Sequence, residues 1–571
     1  MSSNFPPGGS QGPEYLEQGG GAPLPRASEP RRSGGRKPAL IASGVIAGLL
    51  VVGGGVWAAT WYFSTGAQPA QALPDSTLGY MSIDLDPSGA QKIEAVRMLN
   101  KFPAIKDQIG LDAQDDIRKR LFEEIQKSGD CADLDYGDDI EPWLGDRAAV
   151  AAVDTGEDQP SPVVVVQVKD EDKADAGLAK LRDCGQASEP GTTDGGSDTT
   201  GGWAIDGDWV VIAETDAIAK QVADDAAESS LSDDDDFQKW TDEVGDPGVV
   251  NLYAAPAAGK YLAKNLADLT GMFGGSGSAA SCATNSDGTM ADPFCSDTET
   301  YESNNPMPSE MVDALEEFQG AAATVRFDDG ALELEMAGDP GVSRTGLYGT
   351  EGGDDVVATL PADTAAAIGV GFQDGWFTDF VEQVASYDGE QSASQLMDDM
   401  AQESGLDLPD DAETLMGDSM ALSLGSDFDI ETFFNSGDAS GFPIAGKLKG
   451  DPDAMTGVLD KLRADMSTED ASTLETDSDG AMLAIGPNPG YRSQVLDDGN
   501  LGGSNVFQDV VREADKSSAL VYVNFDAGDW LTNLAQDDQE AVDNLEPLEG
   551  FGISLWQEDD AAHAVVRLTT N

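Results

Sequence analysis

The stretch Leu134-Asp-Tyr-Gly-Asp-Asp-Ile-Glu-Pro-Trp-Leu-Gly-Asp146 returns later in the chain as Leu406-Asp-Leu-Pro-Asp-Asp-Ala-Glu-Thr-Leu-Met-Gly-Asp418. The pairs Leu134/Leu406, Asp135/Asp407, Asp138/Asp410, Asp139/Asp411, Glu141/Glu413, Gly145/Gly417 and Asp146/Asp418 are identical. Weaker echoes keep the same order on both sides. Leu73-Pro74 with Thr77 matches Leu360-Pro361 with Thr364, Lys180-Leu-Arg182 matches Lys461-Leu-Arg463, and Phe237-Gln238 matches Phe507-Gln508. Val312-Asp-Ala-Leu-Glu316 with Gly320 matches Val542-Asp-Asn-Leu-Glu546 with Gly550. Ordered self-similarity of this kind points to a duplicated unit, so the sequence divides into repeat one, 73–341, and repeat two, 357–571.

In the first repeat, period-two alternation predicts strands over 78–83, 148–153, 162–168, 209–213 and 248–254. A closing hairpin is expected with 322–327 and 331–336 flanking Asp328-Asp329-Gly330. Ile117, Leu121, Phe122 and Ile125 recur at helical spacing, and Lys173–Leu181 reads as a second helix. Repeat two ends on a similar hairpin, 552–556 and 562–568. Tight hairpins mixed with helices favour an α+β fold, a tandem duplicated domain with a mainly antiparallel sheet. Whether the repeats share one sheet is not encoded in periodicity. The segments Gly185–Gly202 and Gly271–Ser309 read as low-complexity surface inserts.

Met1–Glu29, rich in Gly, Pro and Ser, reads as a disordered tail. Arg26, Arg31, Arg32, Arg36 and Lys37 make the segment 1–38 basic, and they precede the uncharged run Ala39–Phe63. About 20 apolar residues span a bilayer, so 39–63 is expected to be a transmembrane helix. The positive-inside rule then places the tail in the cytoplasm and the rest of the chain outside the plasma membrane, with Trp57, Trp61, Tyr62 and Phe63 at the outer interface. The competing reading is a cleaved signal peptide ending at Ala70-Gln-Ala72, whose apolar core would be shorter than this run. Both readings export the body.

Export suits the cysteines. Cys131, Cys184, Cys282 and Cys295 are even in number and contain no C-x-x-C pair, so disulfides are expected rather than a zinc site. Three pairings are open; the most local joins Cys282 to Cys295 and Cys131 to Cys184.

The 571 residues carry 32 Lys plus Arg against 106 Asp plus Glu, a formal net charge of -74. Such a chain repels nucleic-acid phosphates, which excludes DNA or RNA as partner. Its self-repulsion is relieved by salt or divalent cations, so a saline setting and diffuse Ca2+ binding are expected, without a dedicated cofactor.

The layout of tail, apolar run and acidic exterior, the Leu73-Pro-x-x-Thr77 start, Lys101-Phe-Pro103 and Glu141-Pro-Trp-Leu-Gly-Asp-Arg147 resemble an actinobacterial family of membrane-anchored proteins known only as domain of unknown function 3352. The resemblance supports the topology and implies no activity.

Catalytic motifs are scarce. His563 is the sole histidine and lies in the last expected strand, where a structural role is the plain reading. The G-x-S-x-G match Gly8–Gly12 falls in the tail, without the strand and helix a nucleophile elbow needs. Gly441–Lys447 resembles the start of a phosphate loop, but Leu448 stands where Ser or Thr is required and the segment reads as a strand. Asp84-Leu-Asp-Pro-Ser-Gly89 begins like a calcium loop, yet its twelfth position is Ala95. Asp233–Asp236 reads as an acidic helix start. Asp138, Asp139, Glu141 and Asp146 are the best carboxylate cluster because they recur, and turn chemistry explains them as well as catalysis does. The expected function is a non-enzymatic envelope-binding module. The alternative is a carboxylate-dependent hydrolase of envelope polymers, which needs two acids in a cleft, one with a raised pKa. Carriage of an apolar ligand between the repeats would need an apolar cavity.

Overall fold

The computed structural model describes residues 68–84, 90–104, 118–119, 122–123, 126, 134–187, 201–246, 248–273, 309–341, 352–388, 391–427, 439–464, 466–531, 538–558 and 560–571. The expected tail and membrane span lie outside them, as do Cys131, Cys282, Cys295, Ile117, Leu121 and Ile125. Among the described residues no helix is long and apolar enough to cross a membrane.

Among the described residues sixteen strands form one sheet. In the first half they are β1 Thr77–Asp84, β2 Leu144–Val153, β3 Ser161–Val168, β4 Gly202–Asp206, β5 Trp209–Ala213, β6 Val250–Ala254, β7 Ala321–Asp328 and β8 Ala331–Gly338. In the second they are β9 Thr364–Gly371, β10 Ser419–Gly425, β11 Ile444–Lys449, β12 Thr476–Asp479, β13 Met482–Ile485, β14 Ala519–Asn524, β15 Leu548–Glu558 and β16 Ala561–Thr570. The order is β12-β13-β11-β10-β9-β14-β15-β16-β8-β7-β6-β1-β2-β3-β5-β4. Read outward from the centre, both halves run through their strands in the same order, and they meet where β8 pairs antiparallel with β16. The α+β class and the antiparallel sheet are as expected, and the two halves share a single sheet.

Side chains point to alternate faces along the strands. Along β16 every second residue from Ala561 to Thr569 is buried and the residues between are half-buried. The β7–β8 hairpin closes on Asp329 and Gly330, with φ of 49° and 83°, and positive φ at both centres gives a turn whose twist matches the strands. Helices cover both faces. On one face α1 Glu171–Ala187 packs Ala174 and Leu178 on Val168 and Val210, and on the other α2 Asp216–Glu228 and α3 Asp235–Glu243 set Ala219, Val222 and Trp240 against Tyr80, Val211 and Tyr253. In the second half α4 Pro452–Ala464 plays the first role, with Met455 and Leu459 on Leu448, while α5 Pro489–Leu496 and α6 Asn505–Val510 place Tyr491, Val495, Phe507 and Val510 against Ala367 and Tyr522.

Two expected inserts are shorter than the sequence suggests. Gly185, Gln186 and Ala187 finish α1, and Gly202 opens β4. At the second insert, residues through Phe273 are helical and a helix resumes at Ser309.

Candidate functional site

The echoed acids hold helices in place. Asp139 accepts the Asp135 N–H at 3.0 Å and is bonded to Lys180; Asp411 accepts the Asp407 N–H at 2.7 Å and meets Lys461 at 2.6 Å. Lys180 lies on α1 and Lys461 on α4, so each lysine ties its helix to the short helical segment preceding β2 or β10, Tyr136–Ile140 or Asp410–Met416. The lysine ammonium holds the carboxyl of each aspartate below its usual range. Asp138 donates its N–H to Asp135 at 3.0 Å, Glu141 is exposed, and Asp146 bonds Arg118 at 2.7 Å and Lys169 at 3.0 Å. These residues are turn and helix-docking groups.

The other motifs resolve similarly. Asp234 caps α3, accepting the Phe237 N–H at 2.8 Å. Lys447, only 1% exposed, lies within β11 and donates to Thr359 Oγ1 at 2.8 Å, so Gly441–Lys447 is no phosphate loop. Cys184 is disulfide-bonded, and its partner is outside the described residues. Among the described residues no group of three or more His, Cys, Asp or Glu is placed to hold a metal ion.

The site that spacing did not reveal lies at the seam. An open cleft of about 690 Å³ has Arg326, Asp328, Glu333, Glu335, Arg512 and His563 in its wall, with Glu243, Lys516, Trp556 and Glu558 around them. The registry that creates it is Arg326 opposite Glu333 and Glu333 opposite Arg567, a row of alternating charge across β7, β8 and β16. Glu333 meets Arg326 at 2.6 Å and is bonded to Arg567; Asp328 meets Arg567 at 3.0 Å and is bonded to Arg512. Arg567 also donates to the Asp509 carbonyl at 2.7 Å. That approach of α6 needs Gly552 on β15, where a Cβ would stand 2.2 Å from the Val510 oxygen.

Burial pushes the Glu335 carboxyl up, with Arg326 only partly opposing it. At Asp328 burial acts in the same sense, but Arg567 and Arg512 outweigh it and hold the carboxyl down. At the other end of the cleft His563 stacks on Trp556 with ring centres 5.0 Å apart and lies 3.7 Å from Glu243. Burial lowers its pKa despite Glu243 and Glu558. His563 Nδ1 and Trp556 Nε1 are buried without a partner. His563 is thus in a strand, as expected, and also in a cleft wall, which was not. A signal was present in part: Arg326, Glu333, Glu335, His563 and Arg567 interrupt the apolar residues of the two hairpins.

No curated protein and no solved structure matches the chain. A family model described as "Protein of unknown function (DUF3352)" matches residues 44–435, which take in all eight strands of the first half and β9 and β10 of the second. With well over half of its length so matched, the chain belongs to that family.

Proposed function

We propose that this chain is a membrane-anchored, extracytoplasmic binding module, built by duplication from two copies of one unit, 73–341 and 357–571, and that it takes its ligand in the seam cleft. The cleft carries the reading. Its volume falls in the range of ligand sites, its charges converge from both halves, and its lining is too polar for apolar cargo. Anchoring is supported by the uncharged run 39–63 behind its basic cluster, and export by the disulfide at Cys184. Common strand order and common Asp–Lys clamps support the duplication. The acidic surface would gather Ca2+ or other cations diffusely. The test is fractionation of cells making the full-length chain, followed by pulldown from solubilised membranes and melting scans with envelope fragments. Membrane recovery with a retained partner or a raised melting point is expected; a soluble chain with reduced thiols, or the absence of both partner and shift, overturns it.

The hydrolase alternative has one observation in its favour: Glu335 is raised and Asp328 lowered within one cleft. Against it, both carboxylates are tied to arginines. If Glu335→Gln abolished release of sugar from envelope polymer by the purified chain, this reading would replace the first.

A further inference from the structure

We propose that His563 is an acid-sensitive latch on the cleft: taking up a proton releases the end of the β15–β16 hairpin from the first half of the chain and loosens the cleft there. This rests on the reading of the cleft as a binding site and concerns the regulation of that site. His563 lies on β16 opposite Trp556 on β15 and opposite Ala337 on β8, so it belongs to the second half and abuts the first. It is 8% exposed and lies flat on the Trp556 ring, with 5.0 Å between centres and 5° between planes. A neutral imidazole has one N–H and one bare nitrogen, whereas imidazolium has an N–H on both. The Glu243 carboxylate, 3.7 Å from Nε2, favours the first proton there, so a second falls on Nδ1. Nδ1 is buried without a partner, and the unpaired donor of a buried cation is a costly group.

The surrounding charges do not remove that cost. Glu243 at the end of α3 and Glu558 on β15 favour the cation, and Lys516 in the turn Ala514–Lys516 opposes it. Lys516 is itself bonded to Glu558 at 3.0 Å and Glu513 at 3.4 Å, and Glu335 on β8 is bonded to Arg326. Glu243 is half-exposed and beyond hydrogen-bond reach of Nε2, so solvent screens its pull. Burial outweighs the acids and holds the imidazole below its usual pKa. Water reaches Nδ1 only if the ring leaves its place. The end of α3 is pinned, because Arg326 donates to the Val244 carbonyl at 2.8 Å and the Asp246 carbonyl at 3.0 Å. The hairpin is held less firmly at this point: Ala562 opposite Gly338 is the last pair between β16 and β8, and His563 stands next to it. Strand ends open at lower cost than strand centres, so the hairpin end gives way and the helix stays.

Because the chain has one histidine, a tag-free full-length protein in detergent, labelled at histidine Cε1, gives one signal for the ring. Taken from about pH 7.5 to about pH 5, that signal should titrate below about 6.5. Amide exchange of the paired residues 555–557 and 561–564, corrected for its intrinsic pH dependence, would be followed over the same range. Protection there should fall by up to about tenfold per pH unit as pH drops from about 6.5 toward the ring's own value, while β3 keeps its protection. His563→Phe, which keeps a ring on Trp556 and removes the proton site, should hold protection level. Titration at or above about 6.5, titration with protection unchanged, equal loss in β3, or the same loss in His563→Phe would each overturn the latch. Should that variant not fold, the wild-type titration and the comparison with β3 decide the matter. The pulldown at neutral pH tests the cleft as a binding site separately, so the latch can fail while that reading stands.

Discussion

Arg567 and Glu333 are each 2% exposed, and they sit in a row with Arg326 and beside Asp328. Taking charges out of water is costly, and the cost is offset only where every donor finds an acceptor. Arg567 meets this condition through Glu333, Asp328 and the Asp509 carbonyl. Removing its main partner leaves a buried guanidinium undercompensated, so Glu333→Leu should destabilise the fold by about 3–5 kcal/mol, read as a lower urea midpoint at unchanged slope. Joining it to Arg567→Met should recover much of that loss, since apolar replacement of both partners is often tolerated. His563 has the opposite character, being buried and neutral. Its folded-state pKa is lowered, so the folded protein binds the proton more weakly than the unfolded chain does. The stability tied to this histidine is fully present above about pH 6.5 and is lost as pH falls through the lowered value. In melting curves taken from about pH 7.5 down to pH 5, the stability of wild type relative to His563→Gln should therefore fall as the medium becomes more acidic.

Among elements, the Asp–Lys clamps explain why the echoed stretch is legible at all. Lys461 binds Asp411 near the start of the short helix Asp410–Met416 that precedes β10, and its ammonium lowers the Asp411 carboxyl. Lys461→Met should release α4 from that short helix. The stability lost in the variant should be fully visible above the ordinary aspartate range near pH 4 and vanish as pH falls through the lowered value, which acid titration of both proteins would show. Such local contacts, and β-branched apolar runs such as Val163-Val-Val-Val166 of β3, are written in short sequence windows. Elements that lack a strong pattern were hidden. β12 reads Thr-Asp-Ser-Asp, the composition of a loop, and gains its strand character only by pairing with β13 at the sheet edge. α2 buries Ala219, Val222 and Ala226, small residues that give a faint helical stripe. The cleft was hidden for a different reason: Arg567 and Glu333 are 234 residues apart, and nothing in either hairpin announces its partner until the halves pair.

At the scale of the molecule, a net charge of -74 opposes compaction, and counterions screen it. The melting point should therefore rise as NaCl goes from low to molar concentration, and a flat response would remove the saline setting. The seam makes a sharper case. β8 and β16 would each be an unprotected edge in an isolated half, exposing a row of unpaired N–H and C=O groups, and in the whole chain they pair from Leu332 to Gly338. Across that edge the acids Asp328 and Glu333 come from one half and the arginines Arg512 and Arg567 from the other. A chain split within 342–351 and produced as two polypeptides should consequently reassociate into one complex on size-exclusion chromatography. Glu333→Arg in the first piece should block assembly, since it sets like charges directly opposite Arg567. Adding Arg567→Glu to the second piece restores a pair of opposite sign at the same register, and assembly should return with it. Unassisted folding of either piece to a stable monomer would show instead that the shared sheet is dispensable, and that the cleft between the halves is incidental to their stability.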